Sequence, residues 1–310
     1  MARIIVAIHN HIVVYCNYME WKIEYWKRDG FSFGISASPK RDSALFLPGS
    51  HLFYPRLLSE AKILEKYQVI VMDHRGFAHL QRTKDSVEDY ELSWVISDFT
   101  EYIAHSIPNE VPIHLFGHSG HGYMALLLAH AQPKRFSSLS LVGTGPNHGA
   151  PLFAREPYFE QLATKERKER NLANQLRFEA DCKESPEHFF IHYCRKEEAL
   201  AFFDWKTDSS HFWSGIKTNR LAFDHLFGKE FANIDSKALL SELQIPAALF
   251  LGRYDFQVAP HFTWDPVCIQ NPRLKKFVFE KSAHYPFWEE PEEFWMRYEN
   301  WLERESLLSL

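Results

Sequence analysis

A glycine-rich segment near the middle of the chain, residues 117–122, constrains the fold more than any other feature. It has the sequence Gly-His-Ser-Gly-His-Gly and joins two apolar runs, residues 112–116 and 123–131. The first run has the length of a buried strand, and the second has that of a helix packed against a sheet. A glycine two residues before Ser119 permits the tight strand-to-helix turn that lifts a serine hydroxyl above a sheet. The segment therefore predicts a nucleophilic serine, and the alternative is an ordinary glycine-rich turn.

Strand-like and helix-like segments alternate along the chain, which predicts an α/β fold with a mostly parallel central sheet and helices on both faces. Strands are predicted at residues 31–36, 44–47, 68–72, 112–116, 139–142, 247–251 and 276–279. Helices are predicted at residues 55–66, 91–107, 123–131 and 291–302, and around Val267.

Residues 150–235 depart from this alternation. They are rich in charged and aromatic side chains and lack strand-like runs, so they predict an inserted helical cap. The α/β core would then comprise residues 31–149 and residues 236–310. Residues 1–30 are interpreted as an N-terminal extension of uncertain role, and an alternative is that the folded part begins at Met19.

Two further polar residues follow predicted strands. Asp255 comes just after residues 247–251, and His284 comes just after residues 276–279. Because the carboxyl ends of parallel strands meet at one edge of a sheet, both side chains are expected beside Ser119. A serine needs a base to remove its proton and an acid to orient that base. The sequence thus predicts a Ser119–Asp255–His284 triad, against the alternatives of a turn-forming aspartate and a surface histidine.

An oxyanion hole needs backbone donors aimed at a developing negative charge. The amide of Gly120, directly after the predicted nucleophile, is the first candidate. The second is Ser50, in the loop that follows an early strand. We expect no metal site: four histidines near these motifs are interpreted as loop residues, and the turn at Ser119 is expected to point two of them apart. These histidines are His74, His79, His118 and His121.

Composition restricts the partners. The formal net charge is −5 and no long basic run is present, which argues against nucleic-acid binding. The four cysteines form no CxxC pair, so reduced thiols in a cytoplasm are the simplest interpretation. A Cys182–Cys194 pair is the alternative, and nothing in the sequence requires it. The polar residues 9–11 interrupt the N-terminal apolar run, which argues against a signal peptide. We expect a cytoplasmic protein with no membrane segment and no cofactor, which binds a small molecule or short peptide.

Four segments together resemble the α/β-hydrolase superfamily, and most closely its proline iminopeptidase branch. They are the Ser119 turn, Val-Met-Asp-His-Arg-Gly at 71–76, Leu-Gly-Arg-Tyr-Asp at 251–255 and Glu-Lys-Ser-Ala-His-Tyr-Pro-Phe-Trp-Glu-Glu-Pro at 280–291. The resemblance covers roughly residues 40–150 and 236–305. It implies the α/β-hydrolase fold, with Ser119 as nucleophile, Asp255 as triad acid and His284 as base.

Departures from that branch concern the substrate. Its oxyanion loop is His-Gly-Gly-Pro-Gly, whereas residues 48–51 are Pro-Gly-Ser-His. Its nucleophile is followed by Trp, where this chain has Gly120, and His121 occupies the last glycine position of the turn. Aminopeptidase action also needs an acidic residue, typically in the cap, to hold the free amine of the substrate. The cap candidates are Glu197, Glu198, Asp204 and Asp208.

Three functions remain open at this stage. The first is a serine hydrolase with proline iminopeptidase-like activity, acting through an acyl-enzyme. The second is a carboxylesterase or lactone-type hydrolase with the same triad, and the third is a non-catalytic, hydrolase-like binding protein. Aromatic side chains of the cap are expected to form its core more often than to line a pocket. These are Phe189, Phe190, Tyr193, Phe202, Phe203, Trp205, Phe212 and Trp213.

Overall fold

The computed structural model describes residues 4–8, 11–16, 19–148 and 152–308. Its strands are β1 (Ile4–Ile8), β2 (His11–Cys16), β3 (Met19–Arg28), β4 (Phe31–Ala37), β5 (Ala44–Gly49), β6 (Gln68–Asp73), β7 (His79–Leu80), β8 (Ile113–His118), β9 (Phe136–Val142), β10 (Ala247–Gly252) and β11 (Lys275–Phe279).

The helices alternate with these strands and also fill the cap. They are α1 (Tyr54–Leu58), α2 (Ile63–Lys66), α3 (Leu92–Ser106), α4 (Gly120–Ala131), α5 (Leu152–Leu162), α6 (Lys165–Glu184), α7 (Phe189–Lys196), α8 (Glu198–Ala201), α9 (Arg220–His225), α10 (Ser236–Glu242), α11 (Asp265–Gln270), α12 (Pro286–Glu289) and α13 (Pro291–Leu308). Short 3₁₀ turns occur at Val87–Tyr90, Pro186–His188, Ser210–Trp213, Phe231–Asn233 and His261–Trp264, and a π-helical turn at Leu226–Glu230.

The strands form one sheet in the order β1-β2-β3-β4-β6-β5-β8-β9-β10-β11, with β7 paired to β4. From β6 to β11 every neighbouring pair is parallel. The pairs from β1 to β4 are antiparallel, as is β4 with β6. All residues of β5, β8 and β10 are buried, because helices cover both faces of the parallel part. The predicted mostly parallel sheet is confirmed.

The N-terminal strands are the elements that the sequence did not predict. Within residues 1–30, β3 pairs with β4 from Lys22↔Ala37 to Arg28↔Phe31 and continues the sheet. In β3, Trp21 and Ile23 are buried while Lys22 is exposed, the alternation of a strand with one solvated face. Charged residues interrupt the apolar positions of this strand, so no continuous apolar run indicates it in the sequence. The proposed start at Met19 coincides with the beginning of β3, although β1 and β2 precede it.

The helix predicted at residues 55–66 is divided into α1 and α2. The chain turns at residues 59–62, where the amide of Ala61 donates to the carbonyl oxygen of Leu58 over 3.0 Å. Leu58 and Ile63 are both fully buried on the two sides of the break. The division therefore lets two short helices follow the sheet surface.

Two apolar layers lie on opposite faces of the sheet. One contains Val95 and Phe99 of α3 and Met124 of α4, and the other contains Phe294 and Tyr298 of α13. The apolar residues whose three- to four-residue spacing predicted α3 are the ones that the helix buries. They are Leu92, Val95, Phe99 and Ile103.

Residues between β9 and β10 form helices and contain no strand within the described residues 152–246, as expected of a helical insertion. The boundaries at residues 150 and 235 stay predictions. Cys182, Cys194 and Cys268 are free thiols, so Cys182 and Cys194 are not paired. Among the helices described, none is long and apolar enough to cross a membrane.

Candidate active site

Ser119 stands at the turn between β8 and α4. Its backbone has φ 57° and ψ −132°, a sparsely populated conformation for a residue with a side chain. The Ser119 amide donates to the carbonyl oxygen of Val142 over 2.9 Å, and its carbonyl oxygen accepts from the Thr144 hydroxyl over 3.0 Å. The end of β9 and the residues after it therefore hold the strained turn in place. The turn has the tight strand-to-helix form that the sequence predicted at Ser119.

Gly122 takes the place of the missing glycine at position 121. A Cβ atom on Gly122 would lie 2.1 Å from Oγ1 of Thr144, and one on Gly117 would lie 2.6 Å from Cα of Gly122. Neither position therefore has room for a side chain. His121 points away from this contact, and its Nδ1 lies 2.8 Å from the hydroxyl of Tyr54. The departure at position 121 is therefore accommodated one residue later.

His284 and Asp255 form a buried pair. Nδ1 of His284 lies 2.8 Å from Oδ2 of Asp255, and the two residues are 1% and 3% exposed. The other carboxylate oxygen of Asp255 accepts from the amides of Gln257 and Val258 over 3.0 and 3.2 Å. Because the carboxylate accepts the Nδ1 proton, Nε2 of His284 carries a lone pair that can accept a proton. As predicted, Asp255 follows β10 and His284 follows β11.

Glu289 holds the backbone around His284. Its carboxylate accepts from the amides of Ala283 and Tyr285 over 2.8 and 3.2 Å, and from that of Phe203 in the cap. The His284 amide also donates to the carbonyl oxygen of Ala201 over 2.9 Å. Burial raises the pKa of Glu289 to about 7. Sequence analysis did not identify this residue, since a glutamate in an acidic helix start is a common surface feature.

His118 and His121 do not point apart, contrary to the prediction. Both Nδ1 atoms contact the hydroxyl of Tyr54, at 3.3 Å for His118 and 2.8 Å for His121. Nε2 of His118 lies 2.9 Å from the carbonyl oxygen of His284, which can only accept. His118 therefore donates from Nε2, and its Nδ1 accepts from Tyr54. Because that hydroxyl has one proton, His121 must donate to Tyr54 in turn.

Burial keeps these histidines neutral. It lowers the pKa of His118 well below its ordinary value and that of His121 to about 4. Burial likewise lowers the pKa of His74, whose Nδ1 accepts from the amide of Gly76 over 3.0 Å. His118 and His121 lie in β8 and α4, and His79 lies in β7, so the interpretation of these three residues as loop histidines is corrected. The two histidines come together through the hydroxyl of Tyr54, and no sequence motif links Tyr54 to either of them.

The two predicted oxyanion donors both lie at the cavity above Ser119. Gly120 is the first residue of α4, and amides of the first helical turn have no acceptor within the helix. The Ser50 loop is fixed by Asp73, which accepts from the His51 amide and from Nδ1 of His51, each over 2.8 Å. The roles of Gly120 and Ser50 stay predictions.

The cavity above Ser119 is lined mainly by aromatic rings. The described residues that line it include no Asp, Glu, Lys or Arg. They are Ser50, Phe53, Tyr54, Phe77, His118, Ser119, Gly120, His121, Phe190, Tyr193, Cys194, Trp213, Phe223, Phe227, Gln257, His284 and Tyr285. Of the cap aromatics named from the sequence, Phe190, Tyr193 and Trp213 line the cavity. Phe223 and Phe227 were missed, because sequence alone does not show which cap face meets the site.

Gly120 leaves space that the cap fills. A Cβ atom on Gly120 would lie 2.9 Å from the ring of Phe227 and 3.0 Å from that of Phe231. The iminopeptidase branch that the sequence resembles has Trp at the position of Gly120. In this chain, the rings of Phe227 in the π-helical turn and of Phe231 just after it occupy the space that a side chain at position 120 would take.

None of the four cap carboxylates lines the cavity. Glu197 is buried in ion pairs with Lys196 at 3.0 Å and Arg155 at 3.3 Å. Glu198 accepts from the amide and hydroxyl of Ser209 over 3.0 and 2.8 Å. Asp204 and Asp208 are exposed and accept from backbone amides of their own turns.

Residues 46–291 match the family model described as alpha/beta hydrolase fold. The chain belongs to the α/β-hydrolase family. It is 35% identical over 277 residues to the AB hydrolase superfamily protein YclE of Bacillus subtilis (strain 168), covering 89% of this chain and 97% of that protein. The predicted superfamily and fold are thereby confirmed, and this α/β-hydrolase is an enzyme of the hydrolase class.

Proline iminopeptidases are among the relatives of this α/β-hydrolase, as the sequence resemblance indicated. It is 26% identical to the proline iminopeptidase of Heyndrickxia coagulans over 264 residues, which cover 80% of this chain and 84% of that protein. The crystal structure of proline iminopeptidase from Mycobacterium smegmatis superimposes with a TM-score of 0.68 at 15% identity, covering 93% of this chain and all of that one. At that identity the superposition indicates the shared fold.

Proposed function

We propose that this α/β-hydrolase is a serine esterase that cleaves uncharged esters with apolar acyl groups through an acyl-enzyme. The observation that carries the proposal is the aromatic cavity above Ser119, whose described lining contains no Asp, Glu, Lys or Arg side chain. Pockets with such a lining bind small molecules mainly through apolar contact. An uncharged acyl group therefore enters without leaving an ion unpaired.

The proposed chemistry begins with the hydroxyl of Ser119 attacking the ester carbonyl carbon. Nε2 of His284 takes the hydroxyl proton, and Asp255 stabilises the imidazolium through its 2.8 Å contact with Nδ1. Amides of Gly120 and Ser50 stabilise the oxyanion. His284 then protonates the departing alcohol, and a water molecule activated by His284 releases the acid and regenerates Ser119.

Two observations favour catalysis over a binding role. Ser119 retains a strained backbone that a binding protein has no reason to keep. His284 is oriented by a buried carboxylate and lies at the same cavity as the serine. This constellation is the one that activates a hydroxyl.

The second candidate is an aminopeptidase, favoured by the sequence similarity to a proline iminopeptidase. A free amine at the acyl side requires a carboxylate partner, since an unpaired buried cation is strongly unfavourable. Glu197 and Glu198 are engaged by other cap residues. The geometry of the described residues therefore supports the esterase better.

A paired assay tests both parts of the proposal. p-Nitrophenyl esters of increasing acyl length are compared with free and N-acetylated proline arylamide, using wild type, Ser119→Ala and the exposed control Ser241→Ala. We expect ester turnover and fluorophosphonate labelling in wild type and Ser241→Ala, and neither in Ser119→Ala. Equal labelling of all three proteins would place the nucleophile elsewhere.

The arylamides distinguish the two candidates. An aminopeptidase loses a charged hydrogen bond when the amine is acetylated, which lowers kcat/KM by about tenfold or more. An esterase accepts the acetylated compound equally well or better. Preference for the free amine, together with slow ester cleavage, would reject the esterase in favour of the aminopeptidase.

A further inference from the structure

Three potential metal ligands converge where the cap meets the core, apart from the Ser119 cavity. Glu91 precedes α3, His225 ends α9, and Glu230 ends the π-helical turn. One ligand atom from each residue lies within 4.8 Å of the others. Nε2 of His225 is 3.7 Å from Oε1 of Glu91 and 3.7 Å from Oε1 of Glu230. The imidazole nitrogen thus faces two carboxylates without touching either.

The buried histidine is the observation that points to a ligand. His225 is only 6% exposed, and its Nε2 has no hydrogen-bond partner among the described residues. A distance of 3.7 Å is too long for a hydrogen bond. Buried polar atoms in folded proteins nearly always have a partner, and an exception requires an explanation such as an ion. The gap between Nε2 and the two carboxylates is where that partner would bind.

The charge and exposure of the two carboxylates suit a divalent cation. Together with a neutral imidazole they supply a charge of about −2, which a 2+ ion balances. The side chain of Glu91 is 39% exposed, so solvent reaches one side of the cluster. Glu230 is more enclosed, and its second oxygen accepts from the amide of Leu92 over 3.4 Å. That contact fixes the orientation of the carboxylate toward His225.

We propose that Glu91, His225 and Glu230 bind a divalent transition-metal ion such as Zn²⁺, with water completing the coordination. An imidazole ligand favours such an ion over Mg²⁺ or Ca²⁺, which prefer oxygen ligands alone. Bonds of about 2.0–2.2 Å in a tetrahedron place neighbouring ligand atoms about 3.3 Å apart. The two 3.7 Å gaps to His225 need to narrow by a few tenths of an ångström, and the three ligand atoms as a set lie within 4.8 Å of one another.

The position of the site assigns the ion a structural role. Glu91 belongs to the core, whereas His225 and Glu230 flank the π-helical turn that carries Phe227. Phe227 lines the Ser119 cavity. An ion held by these three residues connects the start of α3 to that turn and so fixes one wall of the cavity. Metal binding itself does not depend on the esterase proposal.

The competing explanation is a metal-free ion pair, in which protonated His225 lies between the two glutamates. Metal retention separates the two explanations. Protein treated with chelator is mixed with Zn²⁺ and passed through a desalting column, and the bound metal is measured by mass spectrometry. Co²⁺ in place of Zn²⁺ reports tetrahedral geometry through its visible absorption. Variants are Glu91→Gln, His225→Gln and the control His130→Gln, which alters an exposed His130–Glu242 pair.

We expect wild type and His130→Gln to retain one equivalent more Zn²⁺ than Glu91→Gln or His225→Gln. Saturating Zn²⁺ should raise the melting temperature of the first two by about 3 °C or more and leave the other two unchanged. Glu91 is partly exposed, so its variant tests the site even where His225→Gln does not fold. Equal retention by all four proteins, or no retention by wild type, would overturn the proposal and leave the ion pair as the explanation.

Discussion

Nε2 of His118 lies 2.9 Å from the backbone carbonyl oxygen of His284, so the residue before the proposed nucleophile contacts the loop that follows the last strand. This contact joins β8 directly to the base of the proposed triad. Tyr54 and His121 extend it into a hydrogen-bonded chain along one side of the cavity. The relative position of Ser119 and His284 is thus set by buried polar groups as well as by the sheet.

His118→Phe should lower kcat about tenfold and change KM little. Phenylalanine keeps the ring packing against Tyr285 and Phe287 but removes the N–H that His284 accepts. The loss corresponds to one neutral hydrogen bond. His114→Phe is the matched control, since His114 is buried in the same strand and contacts Ser138 instead. Steady-state kinetics would contradict the positioning role if both variants lost kcat equally.

Asp255→Asn should reduce kcat by about 10³–10⁴-fold while leaving the fold intact. An asparagine amide that donates toward Nδ1 of His284 favours the tautomer with the proton on Nε2, which cannot act as a base. Circular dichroism establishes that the variant is folded, and single-turnover kinetics measure the loss. A reduction below about tenfold would remove Asp255 from the triad.

Gly122→Ala should destabilise the protein by about 1–3 kcal/mol, because the added methyl group overlaps the Thr144 side chain that supports Ser119. Gly228→Ala is the control: it also lies in a helical segment, and nothing lies within 4 Å of its added Cβ. Alanine there should leave stability unchanged or raise it. Urea unfolding of both variants provides the measurement, and equal stability would show that the turn can relax.

The sequence predicted what depends on local pattern and chain order. The continuously buried strands β5, β8 and β10 were identified because both their faces are apolar. Asp255 and His284 were identified because each follows a predicted strand. What escaped prediction depends on contacts between distant segments. β3 carries alternating charges, Tyr54 contacts His118 across 64 residues of sequence, and His225 faces Glu91 from a different part of the chain.

The pH dependence of stability should report Glu289. Its pKa is raised from 4.5 to about 7, with burial the largest cause, so the native state binds its proton more tightly than the unfolded chain does. The resulting stability is fully present below pH 4.5 and is lost as pH rises to about 7. The change amounts to roughly 3 kcal/mol.

Glu289→Gln removes this titration. The free energy of unfolding of wild type, measured relative to Glu289→Gln, should therefore fall across that interval and stay constant above it. Urea titrations at half-unit steps of pH provide the curve. A difference that does not vary with pH would mean that the carboxylate is ionised throughout, as its three amide donors favour.

Phe227 is one of five residues that line both the Ser119 cavity and a smaller cavity beside it. The second cavity extends to His74 and Leu226, and the two share Phe77, Phe190, Phe223, Phe227 and His121 as lining residues. Of these, Phe227 lies against the position that a side chain on Gly120 would occupy, directly beside the proposed nucleophile. We therefore expect its ring to limit the length of an acyl group bound to Ser119.

Phe227→Ala should join the two cavities and shift ester preference toward longer acyl chains. Each additional methylene that becomes buried contributes about 0.8 kcal/mol, or about fourfold in kcat/KM. Phe153→Ala, which removes a ring that is 87% exposed, should leave the preference unchanged. The measurement is kcat/KM for p-nitrophenyl esters from acetyl to octanoyl in all three proteins. If the ratio of octanoate to acetate cleavage stays the same in Phe227→Ala as in the control, the acyl chain does not bind along this wall.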